Sequence, residues 1–218
     1  TLLSENWARE VSSFFKEHSE IDVVGGPQLT SEDESLFAKT SGYALSSIFG
    51  AANVSSRYKF NKLNLNADES MLTSANLICR KKVFNKIKFD KNIYPGEDPK
   101  FISDAITAGF NVAYSPKIIV YNKRRTDVLL FIKQIASYGL TRPKKESLKE
   151  TLKKPFFLIP ALFSIYILFL PLLFILTKLF LLPLYVYLVL NILFSFYESL
   201  KNKNFYSFFI LPLLFLII

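Results

Sequence analysis

Two adjacent carboxylates, Glu97 and Asp98, follow a Tyr-Pro-Gly turn and come just before Pro99. Neighbouring carboxylates repel each other, and a fold usually accepts this cost for a metal, for a helix cap or for proton transfer. Asp before Pro favours capping, and it predicts Asp98 as the N-cap of a helix from Pro99 to Ala108. Capping does not explain Glu97. A carboxylate at a helix N-terminus is stabilised in its charged form, so Asp98 could cap a helix and also serve as a base.

Three consecutive cations, Lys123, Arg124 and Arg125, form a second group that could bind substrate. They follow a predicted strand from Ile118 to Tyr121, and cations at a strand end can hold a diphosphate through bidentate hydrogen bonds. The alternative is the solvated positive flank of a membrane segment. Both readings stay open at this point.

The next segment predicts a helix with Thr126 as its cap, running to about Tyr138, with Gly139 as its stop. Its apolar residues cover too wide an arc for a simple surface helix, so we place it at the bilayer interface. Gln134 and Tyr138 are four residues apart and share one face, which could line a site. Arg142 lies at the exit of this helix.

The single cysteine and the single histidine exclude several kinds of chemistry. Cys79 cannot form an internal disulfide, which fits a reducing compartment, and we interpret it as a small buried hydrophobe. His18 lies far from it on a polar stretch and is interpreted as a surface residue. This inventory argues against zinc sites and Ser-His-Asp catalysis.

The last part of the chain has the length and composition of membrane helices. Residues 156–177 and 179–197 contain no charged side chain, and about 20 apolar residues suffice for a helix to cross the hydrocarbon core. Residues 205–218 form a third apolar run, interpreted as a shortened span or an interfacial segment. The sequence therefore predicts a multi-pass protein of the cell's inner (cytoplasmic) membrane.

The net charge of +9 is concentrated next to these segments. Residues 1–116 carry 13 Lys and Arg against 14 Asp and Glu, whereas residues 117–154 carry 11 against 3. Basic residues beside a span mark the cytoplasmic side and attract anionic headgroups. The soluble part is therefore expected in the cytoplasm, with membrane lipids and not a nucleic acid as the partner of the basic segment.

Short apolar runs alternate with helical patterns in the soluble part, which indicates an α/β fold. The first helix is predicted with Ser4 as its N-cap. A further helix is predicted over Leu36 to Phe49 and ends at Gly50. The start of the chain resembles the middle of a domain, so a fragment of a longer protein is expected.

In their order and spacing, several short motifs resemble the family-2 glycosyltransferases of GT-A fold, in particular the membrane-anchored bacterial polysaccharide-assembly branch that includes succinoglycan-type enzymes. The resemblance covers nearly all of Asp22 to Arg142. It is carried by Val24-Gly25-Gly26-Pro27, Thr73 to Phe84, Phe89-Asp90, Gly96-Glu97-Asp98, Ala108-Gly109-Phe110, Ser115-Pro116, Tyr121 to Thr126, and Gln134 through Tyr138-Gly139 to Arg142.

The resemblance implies the C-terminal part of a Rossmann-like GT-A domain followed by transmembrane α-helices. It implies Asp98 as the base that deprotonates the acceptor hydroxyl, with Glu97 as its neighbour, and Asn76 in the sugar pocket. The positions that would hold the donor diphosphate or cover the site are Arg124, Arg125, Gln134 and Arg142.

Two departures from the family pattern matter. Asn122 stands where the family often has a histidine, and the chain has no Asp-x-Asp motif. The family binds a divalent metal, Mg or Mn, and the nucleotide through that motif, so the metal is expected only for a full enzyme whose missing half lies upstream. The expected division is residues 1–122 as the acceptor-side part, 123–154 as the basic juxtamembrane segment, and 155–218 as the membrane region.

These expectations describe an inverting glycosyltransferase that moves a sugar from a nucleotide-diphosphate donor to a lipid-linked or polysaccharide acceptor. The alternative is a non-catalytic membrane protein whose soluble part docks a partner.

Overall fold

The computed structural model describes residues 1–145, 151–152 and 158–218, and the side chains of residues 142–145 lie outside that description. The fold is mixed α/β, as predicted. The helices are α1 Trp7–Glu17, α2 Leu36–Ser46, α3 Ile48–Ala51, α4 Lys81–Lys86, α5 Glu97–Thr107, α6 Val128–Lys145, α7 Ile159–Leu176, α8 Leu182–Lys201 and α9 Leu211–Ile217. The strands are β1 Leu2–Leu3, β2 Val23–Gly25, β3 Gln28–Thr30, β4 Leu77–Cys79, β5 Val112–Tyr114 and β6 Val120–Asn122.

The strands form two small three-stranded sheets. In one, β2 lies between β4, which is antiparallel to it, and β5, which is parallel. In the other, β6 lies between β1, which is antiparallel, and β3, which is parallel. The chain passes from the first sheet to the second at Gly26, where an added Cβ would collide with the backbone oxygen of Ile118. Only glycine fits this approach.

The β4-β2-β5 sheet is packed on both faces, which explains why β2 is completely buried. On one face Val23 packs with Phe101 and Ile102 of α5, and on the other Val24 packs with Phe14 of α1. Burial on both faces is typical of a strand at the centre of an α/β fold. These contacts fix the position of α5, which carries the Glu-Asp pair.

The predicted start of α5 is wrong by two residues. The helix begins at Glu97, and its N-cap is Gly96, which has a φ of +120°. Asp98 therefore lies in the first turn and is not the cap. Glu97 Oε2 accepts a hydrogen bond of 2.9 Å from the Gly96 N–H. A glycine at positive φ, which a side chain would disfavour, sets the helix start here.

Two other helix boundaries differ from the prediction. The N-cap of α1 is Asn6 and not Ser4. In α6, Asp127 Oδ1 accepts a 2.9 Å hydrogen bond from the Leu130 N–H, so Asp127 and not Thr126 caps the first turn. The helix also continues through Gly139 to Lys145.

Two helices are long and apolar enough to cross a membrane, Ile159–Leu176 and the segment Lys178–Lys201, which includes a 3-10 turn and α8. They correspond to the first two predicted spans. The third apolar run, residues 205–218, forms a 3-10 turn over Phe205–Phe209 and the helix α9.

The C-terminal segment packs on the soluble part of the protein. Leu211, Leu214 and Phe215 are buried together with Leu45 of α2 and Phe131 of α6. Contacts inside the chain therefore account for these three residues, whereas Phe205, Tyr206, Phe209, Leu213 and Leu216 of the same segment are exposed.

Candidate active site

The carboxylate of Asp98 is anchored by one of its two oxygens. Oδ2 accepts a 3.1 Å hydrogen bond from the backbone N–H of Ser74, which opens the 3-10 turn Ser74–Asn76. Among the described residues Oδ1 has no hydrogen-bond partner. The N-terminal turn of α5 also favours negative charge at this position. One oxygen is therefore held in place while the other can receive a proton.

Helix α6 lies against the turn that precedes Asp98. A Cβ built on Gly96 would be 3.9 Å from Thr141 Oγ1. One turn earlier, Tyr138 interacts electrostatically with Asp98, as well as with Tyr58 and Arg57. The fold thus brings the Glu-Asp pair to the face of α6 that the sequence marked as a possible site wall.

A short chain of hydrogen bonds runs along this face of α6. The Nε–H of Arg125 donates to Gln134 Oε1 at 3.2 Å, and Gln134 Nε2 donates to the hydroxyl of Tyr138 at 2.8 Å. Desolvation is the main cause that raises the pKa of Tyr138, and the nearby Tyr58 and Asp98 add to the rise. The Gln134 hydrogen bond and Arg57 act in the opposite direction. Tyr138 is therefore a neutral phenol whose own O–H is available to donate.

Arg124 is used inside the protein. Its side chain is buried, its Nε donates to Thr30 Oγ1 at 3.1 Å, and its Nη2 donates to the Gln28 backbone oxygen at 2.7 Å. The guanidinium carbon lies 4.7 Å from the centre of the Tyr58 ring. Burial lowers the pKa of Arg124. In this arrangement Arg124 connects β3 to the 3-10 helix Ala52–Tyr58, and a diphosphate would have to compete with those contacts.

Asn76 is also committed to contacts within the fold. It is 2% exposed, and its Oδ1 accepts a 3.0 Å hydrogen bond from Trp7 Nε1. Its Nδ2 donates to the Ile118 oxygen at 2.7 Å and lies 3.5 Å from the Pro27 oxygen. The side chain ties α1 to the crossing between the two sheets. A sugar could bind it only by replacing one of these bonds.

The remaining predicted positions divide into two groups. Arg125 and Gln134 meet each other beside Tyr138, as described above. The backbone of Arg142 lies in α6, but its side chain is outside the part of the chain that the structure describes. The structure therefore places Arg125 and Gln134 on the face of α6 that carries Tyr138, whose electrostatic partners include Asp98, and it directs Asn76 and Arg124 into the core.

Two residues of this region were not singled out from the sequence. Arg57 and Tyr58 lie at the end of the 3-10 helix Ala52–Tyr58, one beside Tyr138 and the other beneath Arg124. The signal available in the sequence was the alternation of basic and aromatic residues from Arg57 to Phe60 within a long polar segment.

The other reactive residue types do not add to this region. Burial raises the pKa of Cys79 to about 12, so its thiol is protonated at neutral pH, as its interpretation as a small hydrophobe requires. Two cavities of about 570 and 370 Å³, one beside Tyr121 and one beside Lys123, do not include Asp98. Among the described residues no three His, Cys, Asp or Glu side chains are grouped so as to hold a metal ion.

No protein-family model and no curated protein matches the chain. The resemblance to family-2 glycosyltransferases therefore rests on the sequence motifs alone.

Proposed function

We propose that this chain is part of a membrane-associated inverting glycosyltransferase that uses Asp98 as its general base. The observation that supports this most is the environment of Asp98: one carboxylate oxygen is anchored by Ser74, the other has no hydrogen-bond partner among the described residues, and Tyr138, which is bonded to Gln134, interacts electrostatically with it. These residues come from distant parts of the sequence, and the resemblance assigns Asp98 and Gln134 to one site.

In the proposed reaction the acceptor hydroxyl gives its proton to Asp98 Oδ1. Its oxygen attacks the anomeric carbon of the donor sugar, the new glycosidic bond forms, and the bond to the diphosphate oxygen breaks with inversion. The leaving diphosphate carries the developing negative charge, which nearby cations such as Arg125 would stabilise. Proton transfer by a positioned base contributes about 10²–10⁴ to such a rate.

Glu97 would act on the reaction through the position of Asp98. Its carboxylate is bonded to the N–H of Gly96, the residue that starts α5. Glu97 is therefore a positioning residue in this proposal. The Mg or Mn ion is expected only for the full enzyme, and among the described residues no three His, Cys, Asp or Glu side chains are grouped to hold it, so no step is routed through a metal.

The proposal places the soluble part on the cytoplasmic face of the inner membrane. Two helices long and apolar enough to cross a membrane give weak support for membrane association. On α6, Leu129 and Leu140 are more than two-thirds exposed, and Lys133 lies between them on the same side. An apolar face that also carries cations is suited to the interface of an anionic bilayer. There the site could meet a lipid-linked or polysaccharide acceptor.

The decisive variant is Asp98→Asn in the full-length protein. Asparagine can still accept the Ser74 hydrogen bond, so the fold should persist while sugar transfer falls by about 10²–10⁴. The matched control is Asp104→Asn on the same helix, which removes only an ion pair with Lys100 and should keep activity. Transfer that persists in a folded Asp98→Asn protein would remove the base assignment and favour the partner-docking alternative.

A further inference from the structure

The 3-10 turn Ser74–Asn76 carries the hydrogen-bond donor that anchors Asp98. The backbone N–H of Ser74, at the start of the turn, donates to Asp98 Oδ2 at 3.1 Å. Ser74 itself is exposed, whereas Asn76, two residues later, is almost fully buried. The position of the Asp98 carboxylate therefore depends on how firmly the fold holds this turn.

The side chain of Asn76 fixes the turn from inside the fold. Its Oδ1 accepts a 3.0 Å hydrogen bond from Nε1 of Trp7 on α1, and its Nδ2 donates to the backbone oxygen of Ile118 at 2.7 Å. The backbone N–H of Asn76 closes the turn by donating to the Thr73 oxygen at 3.1 Å. One end of the turn is thus bonded to two other segments of the chain, while the other end holds the Asp98 carboxylate.

The backbone of the turn also packs directly on β2. A Cβ built on Gly25 would collide with the backbone oxygen of Asn76, so a side chain at this position would displace the turn. The next residue, Leu77, begins β4 and is paired with Gly25. The turn is therefore fixed by backbone contacts on the side of β2 and by the Trp7 hydrogen bond on the side of α1.

Trp7 makes a contact that another aromatic residue could not make. Its ring packs against an apolar cluster that includes Phe14 and Val24. A phenylalanine could pack in the same way, but it lacks the indole N–H that donates to Asn76. Among the described residues, no other donor is bonded to Asn76 Oδ1, and a buried amide oxygen needs such a partner.

We propose that Trp7 is a positioning residue for the base: through Asn76 and the turn Ser74–Asn76, it holds the Asp98 carboxylate where the acceptor hydroxyl gives up its proton. This inference rests on the proposed glycosyltransferase function and adds to it a residue of α1, which lies outside the span of the family resemblance. Asn76 acts here through the turn and not by contact with the sugar. The proton still passes from the acceptor hydroxyl to Asp98 Oδ1.

The competing explanation is that the hydrogen bond between Trp7 and Asn76 only stabilises the fold. Both explanations predict a lower Tm for Trp7→Phe. They differ in the kinetics of the folded protein. A loss of stability alone leaves kcat unchanged below the Tm, whereas a displaced base lowers kcat and leaves KM unchanged, since Trp7 does not bind substrate in this proposal.

The experiment uses the full-length protein in its native membranes, well below the Tm of each variant, and measures nucleoside diphosphate release from UDP-glucose, UDP-galactose and GDP-mannose. Trp7→Phe should lower kcat by about three- to tenfold at unchanged KM, because a neutral hydrogen bond can bias the turn by about that factor. Asn76→Leu removes two hydrogen bonds and should lower kcat by about 10–100-fold. The matched control is Val11→Ala, one turn later on α1 and in the same apolar cluster, which should lower Tm but keep kcat.

A second measurement does not depend on activity. The amide hydrogen of Ser74 is protected by its bond to Asp98, and its exchange can be followed by mass spectrometry of the peptide that contains it. This exchange should be about three- to tenfold faster in Trp7→Phe, as for kcat, and unchanged in Val11→Ala. Thermal unfolding of each variant establishes that it is folded.

Combination with Asp98→Asn separates this inference from the proposed function. If Trp7 acts through Asp98, Trp7→Phe should cause no further loss of the residual transfer in the Asp98→Asn protein. Wild-type kcat and unchanged Ser74 exchange in folded Trp7→Phe would overturn the positioning role and leave the base assignment intact. A loss of equal size in both backgrounds would also overturn it, because Trp7 would then act elsewhere. Full transfer by Asp98→Asn alone would instead overturn the proposed function and the role of Trp7 with it.

Discussion

Replacement of Arg124 by methionine tests whether this residue supports the fold or binds substrate. The wild-type guanidinium is buried and donates to the Gln28 oxygen and to Thr30 Oγ1. Hydrogen bonds from a charged donor contribute about 1.5–3 kcal/mol each, and a stacked cation adds about 0.5–2 kcal/mol. Methionine fills part of the volume and removes the desolvation cost of the charge. We therefore expect the free energy of unfolding to fall by about 3 kcal/mol.

For a chain of 218 residues, each kcal/mol corresponds to about 2–4 °C in Tm. Arg124→Met should therefore lower Tm by roughly 6–12 °C, as measured by circular dichroism in detergent micelles. The matched control is Arg125→Met: this neighbour is exposed and bonded only to Gln134 among the described residues, so its Tm should stay within about 2 °C. An unchanged Tm for Arg124→Met, together with a loss of diphosphate binding, would refute the structural role and restore the one implied by the family resemblance.

Three further predictions concern the core and the site. Asn76→Leu should lower Tm by roughly 4–8 °C because it leaves two polar groups unpaired. It should also shift the fluorescence emission of Trp7, the only tryptophan. An unchanged emission spectrum would contradict the Trp7 hydrogen bond. Thiol reagents should label Cys79 slowly at pH 8 in the folded protein and rapidly after unfolding, because its pKa is raised to about 12. The pKa of Tyr138 is higher in the folded protein than in the unfolded chain, where it is near 10. The resulting contribution to stability is present below pH 10 and is lost as the pH rises through the pKa that Tyr138 has in the folded protein. As the pH is raised above 10, the free energy of unfolding measured by urea titration should therefore fall less for Tyr138→Phe than for the wild type.

Local signals in the sequence located most elements but did not select their caps. The start of α2 at Leu36 appears where it was predicted. Each wrong N-cap lies within two residues of the true one: polar side chains compete for this role at α1 and α6, and Gly96 takes it at α5. Gly139 was taken as a helix stop, but α6 continues because its inner residues, such as Phe131, pack against the core. Tertiary packing outweighs the propensity of a single glycine.

Asp98 and Gln134 remain accessible, so the roles that the resemblance implies for them stay predictions. The burial of Arg124 could not be foreseen, because its partners Gln28 and Thr30 lie more than ninety positions away in the sequence. One local rule could have helped. Side chains alternate along an extended segment, and after β6 Lys123 is exposed, Arg124 is buried and Arg125 is exposed. Only alternate members of such a run can face the same site.

The polar side of α8, a candidate membrane helix, packs on the rest of the protein. Asn191 donates to the backbone oxygen of Pro212 at 3.1 Å, and Ser195 bonds to Asn191, so this side faces the C-terminal segment. From the soluble part, Phe49 stacks on Phe194 at 4.8 Å. The second half of α8 is therefore held by the domain that carries Asp98. If the proposed function holds, a substrate anchored in a bilayer beside α8 would meet the proposed base at a position set by packing within the protein.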